Sequence, residues 1–143
     1  MILTTSSTSS LADLKHYLHS QFYMKDLGSL SYFLGLEISP SSKSFLICQK
    51  KYTQDLLADM HMLSSKPLTL PMGSHVKLTK YEGWKLNSPD VFRRLVGKLI
   101  YLTITRPDIS FVIQVLSQLM HEPTEAHLAV AKHVFRYLKN TPN

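Results

Sequence analysis

The alternation of apolar and polar positions divides the chain into a short strand-bearing region followed by helices. Leu11, Leu14, Leu18 and Phe22 recur at three- to four-residue spacing, which predicts a first helix with one apolar stripe through about residue 22. Ser10 with Asp13 three residues on has the spacing of a capping box and sets its expected start. Leu30, Tyr32, Leu34, Leu36 and Ile38 then alternate with Ser31, Phe33, Gly35 and Glu37, a strand's period of two. The turn-rich run from Ser39 to Ser44 leads back into Phe45-Leu46-Ile47-Cys48, so a hairpin is expected. Gly35 inside a strand calls for a bulge or the close passage of another backbone.

Helical spacing resumes from Gln49 to about Met60, with Tyr52, Leu56, Leu57 and Met60 on one face. Pro67 and Pro71 enforce an extended stretch, and residues 73–88 read as an exposed loop between two halves. Ser88-Pro89 is a helix-start pair, after which Phe92, Leu95, Val96, Leu99 and Ile100 form a stripe. Gly97 sits within this helix, where it costs roughly 1 kcal/mol relative to Ala unless a neighbour packs closely. Arg106-Pro107-Asp108 ends the helix and starts the next, with Asp108 as its expected cap, and the run from Ile109 to Met120 reads as the most buried helix. Thr124-Glu125 opens a last helix with Leu128, Ala131, Phe135 and Leu138 inward, and Thr141-Pro142-Asn143 stops it. The fold class that follows is α+β.

Charge changes this picture by its placement. Residues 1–60 carry five lysines against five acids, so the net charge of +6 comes entirely from residues 61–143. A basic half suits a polyanion such as nucleic acid through phosphate neutralisation, and equally suits a generically basic surface. Lys132, Arg136 and Lys139 line up along one helix face, either as a solvated row or as phosphate contacts. Arg106 has two readings as well, pairing with Asp108 or with phosphate.

Several chemistries are not supported by the residues present. The seven histidines and the single Cys48 match no zinc spacing, so no metal site is expected. There is no Gly-x-Ser-x-Gly, and the five glycines make no phosphate loop. No apolar run approaches the roughly 20 residues of a membrane span, so no membrane partner is expected. The N-terminal Met1-Ile2-Leu3 reads as the tail of a buried strand, without the basic start of a targeting segment.

Four segments in order, FYMKDLGSLSYFLGLEI, QKKYTQDLLADMHM, KPLTLPM and FRRLVGKLIYLTITRPDISFVIQVLSQLMHEPTEAHLAVAKHVFRYLKNTP, together resemble the copia-type retrotransposon Pol polyprotein, in the later part of its reverse transcriptase. The resemblance implies part of a right-hand polymerase. Residues 1–48 would be the end of the palm, a helix plus a β-hairpin; 49–72 a thumb-like helix and extended segment; 73–88 a loop; and 89–143 a three-helix thumb or connection region. It further implies that Tyr32, Phe33, Leu34 and Gly35 form a primer-grip-like hairpin, and that Lys50, Lys51, Arg93, Arg94 and Lys98 touch phosphates. The implied partners are an RNA–DNA or DNA template–primer duplex and the remaining Pol regions, fingers, palm and RNase H.

Two-metal phosphoryl transfer needs clustered carboxylates around ions roughly 3.5 to 4 Å apart, and no two acids here are adjacent. The family's catalytic aspartates would precede Met1, so the chain alone is expected to be inactive as an RNA-directed DNA polymerase, with Mg²⁺ expected only for the complete enzyme. Two other readings stand beside this one: a non-functional remnant of a decayed element, and a helix-turn-helix DNA-binding module built from the helices at Asp108 and Thr124 across the short turn 121–124.

Overall fold

The computed structural model describes residues 1–73, 76, 78–79 and 83–141. Helix α1 spans Thr8–Gln21, strands β1 Tyr32–Phe33, β2 Leu36–Pro40 and β3 Phe45–Cys48 form one antiparallel sheet in that order, and helix α2 covers Lys50–Asp59. Helix α3 runs over Pro89–Leu102, a 3-10 turn over Pro107–Ile109, α4 over Ser110–Gln118 and α5 over Glu125–Asn140. The α+β expectation holds. No helix among the described residues is long and apolar enough to cross a membrane.

The core belongs to α2 through α5. Leu56 and Leu57 from α2 meet Phe92, Leu95, Val96, Leu99 and Leu102 from α3, together with residues of α4 and α5 such as Ile113, Leu116, Val134, Phe135 and Leu138. Each such side chain contributes about 1.5–3 kcal/mol by leaving water, so this cluster is where the stability resides. The inward face of α5 is rotated from the expected stripe: Val130 and Val134 are buried beside Ala131, Phe135 and Leu138, while Leu128 is only half-buried. Helix α4 does not bury most of its sides either, since Val112, Ile113 and Leu116 face the core but Phe111 is 69% exposed.

Residues preceding the core behave differently. Met1-Ile2-Leu3 forms no strand, and α1 has no buried residue, its Leu14 lying 42% exposed. The helix begins at Thr8 after Ser7 rather than after Ser10, and no side chain caps it. Ser10 and Asp13 therefore lie inside the helix instead of closing its end. Of the sheet, only Ile38 is buried, leaving Phe45, Leu46 and Ile47 exposed along the β3 edge.

The single strand expected over 30–38 is two strands joined by a tight turn. Phe33 pairs with Leu36, and the two residues between them, Leu34 and Gly35, have φ of 50° and 82°. Two consecutive positive φ values make the primed kind of turn that suits the right-handed twist of paired strands. Gly35 is thus required by the turn, and what lies against it is a side chain, with a Cβ there only 3.4 Å from the Tyr101 ring. Gly97, by contrast, faces open space, so no neighbouring helix explains it.

Residues 74, 75, 77 and 80–82 of the expected loop, and Pro142 and Asn143 of the expected stop, lie outside the described residues. The rest of that loop is partly tied down, because Lys85 bridges Thr124, Leu86 N–H donates to the Pro123 carbonyl and Glu125 N–H donates to the Trp84 carbonyl. His127 completes the arrangement. Buried at the start of α5, it accepts from Thr124 N–H at 3.1 Å through Nδ1, which leaves the proton on Nε2 for the Thr79 carbonyl at 3.0 Å.

Candidate nucleic-acid interface

Helices α2 and α3 run past one another in opposite directions, since Tyr52 near the start of α2 meets Tyr101 near the end of α3, and Asp59 at the end of α2 meets Lys98 further back. The Tyr52 and Tyr101 rings pack edge to face with centroids 5.3 Å apart. Burial raises the Tyr52 hydroxyl above its ordinary range, with Tyr101 and Asp59 adding to the effect. Tyr101 donates its hydroxyl proton to the Leu34 carbonyl, which fastens the tip of the β1–β2 turn to α3.

A second tie holds the hairpin to the start of α2. Lys51 N–H donates to Glu37 Oε1 at 2.6 Å, giving that exposed helix start a carboxylate partner. The Lys51 ammonium sits 5.8 Å from the centre of the Tyr32 ring, within range of a cation–π attraction. Arg94, Lys98 and Tyr101 recur at helical spacing along one stripe of α3, so the stripe carries two cations toward the hairpin tip. Through the Leu34-Gly35 tip, Tyr101 links the hairpin that carries Tyr32, with Lys51 beside it, to the α3 stripe of Lys98 and Arg94. Lys50 is exposed at the start of α2.

The other expected cations are used differently. Arg93 donates to the Met120 carbonyl at 2.9 Å and the His121 carbonyl at 3.1 Å and pairs with Asp90, closing the end of α4. Arg136 donates to the Lys66 carbonyl at 2.7 Å and Lys139 to the Ser65 carbonyl at 2.6 Å, which fixes the segment after α2 along α5. Lys132 from the same expected row is exposed.

Arg106 pairs with Asp108, and its side chain is only 7% exposed. It grips Asp108 through Nε at 2.9 Å and Nη2 at 2.7 Å, and donates to the Thr141 hydroxyl at 2.7 Å and to the Thr141 carbonyl. Asp108 also accepts from the Tyr137 hydroxyl at 2.6 Å, so it is a bridging acceptor rather than a helix cap. These bonds, Arg106 first, hold the Asp108 carboxyl at a pKa of about 2 against an ordinary 3.8.

Sequence reasoning missed Glu37, Tyr52, Tyr101 and His127. Tyr101 was discoverable in part, since it stands three residues after Lys98 on one helix face. Its partner at Leu34, 67 positions away, had no local signal. Among the described residues no group of three or more His, Cys, Asp or Glu could hold a metal ion.

Comparison with known proteins places this geometry in a family. A profile described as reverse transcriptase (RNA-dependent DNA polymerase) matches residues 1–74. Over the whole chain, 143 residues are 42% identical to the Retrovirus-related Pol polyprotein from transposon RE1 of Arabidopsis thaliana, of which they cover 10%. The Uncharacterized mitochondrial protein AtMg00810 of the same plant is 41% identical over 99% of this chain and 58% of its own length. The Putative transposon Ty5-1 protein YCL074W of Saccharomyces cerevisiae is 31% identical over 89% of this chain and 42% of its own. No solved structure matches. The chain thus spans about a tenth of the transposon polyprotein it resembles, and it belongs to the reverse transcriptase family, in the copia-type branch found in retrotransposon Pol polyproteins.

Proposed function

We propose that this chain is the part of a copia-type reverse transcriptase that holds the template–primer duplex, RNA–DNA or DNA, and that the metal-binding carboxylates and Mg²⁺ belong to the rest of the polyprotein. The observation that carries this reading is the fastening of the Leu34-Gly35 turn to Tyr101. Through it, the Tyr32–Lys51 pair at the hairpin and the Arg94–Lys98 pair on α3 line one strip instead of two unrelated surfaces. Cations along a strip neutralise successive phosphates and position a duplex without reading its sequence. Tyr32, half-exposed beneath Lys51, adds an aromatic surface at the end where a primer terminus would lie.

The exposed apolar residues of α1 and β3 fit the same reading. Leu14, Tyr17, Phe22, Phe45, Leu46 and Ile47 form faces that a larger polymerase fold would cover. The partners proposed are therefore the duplex on the strip and the remaining polymerase regions on the apolar faces.

Fluorescence anisotropy with a labelled RNA–DNA hybrid tests the duplex half. Binding is expected to be weak and to fall at least tenfold between about 50 and 200 mM salt, as several phosphate contacts require. Replacing Lys51 and Arg94 together with Ala should weaken it, whereas Arg136→Ala should not, because Arg136 is engaged with the Lys66 carbonyl. Salt-independent binding, or equal losses from both variants, would remove the strip from consideration. Protection of particular bases in a footprint would favour the helix-turn-helix reading instead.

A further inference from the structure

Where α2 ends against α3, a cleft of about 260 Å³ opens, lined by Asp59, Met60, Val91, Arg94, Leu95 and Lys98. Its floor is apolar, from Leu95, and its rim carries two cations and one carboxylate. Asp59 sits with its Oδ2 2.8 Å from the Lys98 ammonium. The hydrogen bond from Lys98 comes first, then that ammonium's charge, in holding the Asp59 carboxyl below its ordinary range, and Arg94 adds to it from one helical turn away. Arg94 itself has no hydrogen-bond or ion-pair partner among the described residues.

We propose that this cleft is a phosphate seat in which Asp59 stands where a phosphodiester of the bound duplex would stand, so that nucleic acid reaches Lys98 by displacing an internal carboxylate. This rests on the reading that the strip binds a duplex, and it names the residue that sets how tightly. A carboxylate and a phosphodiester are both monoanions presenting two acceptor oxygens, and a Lys–Arg pair one helical turn apart serves either. Asp59 is well suited to being displaced. Its side chain is 62% exposed, and an exposed ion pair of this kind holds its partners only weakly against water and salt. Of the other cations expected to touch phosphate, Arg93, Arg136 and Lys139 bond main-chain carbonyls and Arg106 is buried, so none of these four offers such an exchange.

The consequence is a built-in competitor. Each time the duplex leaves, Asp59 recaptures Lys98, which lowers affinity and eases release of a substrate that has to move along the protein. Asp55 supplies the control, because it lies one helical turn earlier on α2, is exposed, and does not line the cleft.

The experiment measures hybrid affinity of the whole chain with Asp59→Asn, Asp55→Asn, Lys98→Ala and the Asp59→Asn/Lys98→Ala pair across a salt series. Both Asp→Asn changes raise the net charge equally, so only a local effect separates them. Asp59→Asn is expected to bind about 3- to 10-fold tighter with a salt slope steeper by about one phosphate contact, while Asp55→Asn gains less than about twofold. Adding Lys98→Ala should erase the gain. Equal gains from the two Asp→Asn variants, or a gain that survives Lys98→Ala, would overturn the phosphate seat while leaving duplex binding intact. If the folded native chain and all variants fail to bind the hybrid, the duplex reading itself falls, and the seat with it.

Discussion

Two regions of this chain are built on the same kind of amphipathic pattern and meet different fates. The stripe on α3 is buried, with Phe92, Val96 and Leu99 fully inaccessible and Leu102 in the place of the expected Ile100, which is 44% exposed, whereas the stripe on α1 reaches no core and leaves Leu14 42% exposed. The α1 stripe is the weaker of the two, and it also lacks partners. Helix α3 has α2, α4 and α5 to pack against, and α1 has only the short segment leading to the hairpin. An amphipathic stripe therefore says which face wants covering, and does not say that the covering is within the same chain.

The strongest way to break that comparison is to truncate an aromatic side chain in each region. Phe135→Ala, in the middle of the core, should cost about 3–5 kcal/mol, because the removed ring leaves a cavity that four converging helices cannot close. Phe45→Ala, on a side chain 68% exposed at the sheet edge, should stay within about 0.5 kcal/mol. Urea unfolding followed by circular dichroism checks both. A large loss from Phe45→Ala would mean that the edge strand is covered in solution, and the contrast between the regions would disappear.

The next effect in size tests how the helical region closes on itself. Arg106 joins the turn before α4 to the last turn of α5 through Asp108 and Thr141. Arg106→Ala should cost about 2–3 kcal/mol, since it removes bonds to a charged partner and leaves Asp108 half-satisfied. Asp108 gives the pH signature. Its carboxyl titrates at about 2 in the fold and at an ordinary 3.8 without it, so its contribution is complete above pH 3.8 and fades as pH falls toward 2. Because that side chain is 37% exposed, water screens the pair, and the loss should be no more than about 1–2 kcal/mol. Asp108→Asn should flatten this acid limb of the stability curve. An unchanged slope between pH 4 and 2 would show that other carboxylates carry the acid sensitivity.

Residues that the chain pattern could interpret are those whose partners are near in sequence or face a common core. Ser88-Pro89 and Thr124-Glu125 announced α3 and α5, and Leu56, Leu57, Leu95 and Leu99 announced the core. The cations were harder, because a lysine or arginine has the same appearance in sequence whether it meets a phosphate or a main-chain carbonyl. Arg136 and Lys139 turned out to bond carbonyls 70 and 74 positions away, and nothing local distinguishes them from Lys132 in the same row. The turn at Leu34-Gly35 was hidden for another reason. A two-residue turn exchanges odd and even positions between the faces, pairing Tyr32 with Glu37 and Phe33 with Leu36, whereas the apolar alternation from Leu30 to Ile38 runs on unbroken and so has the period of one strand although it folds as two.

The smallest effects come from the two glycines, and they should have opposite signs. Gly97 is in the middle of α3 facing open space, so Gly97→Ala gains helix propensity without a clash and should stabilise the chain by about 1 kcal/mol. Gly35 has φ of 82°, where an alanine is strained by about 1–2 kcal/mol, although its new methyl would meet the Tyr101 ring at ordinary contact distance. Gly35→Ala should therefore destabilise, but only locally. Hydrogen exchange separates the two outcomes: amides of β1 and β2 should exchange faster in Gly35→Ala while those of α3 and α5 keep their protection, and Gly97→Ala should slow exchange in α3. If Gly35→Ala lowered protection throughout the helices, the hairpin would be part of the cooperative core. The strip from Tyr32 to Arg94 would then be a single rigid surface, not a loosely held hairpin resting on a firm helical base.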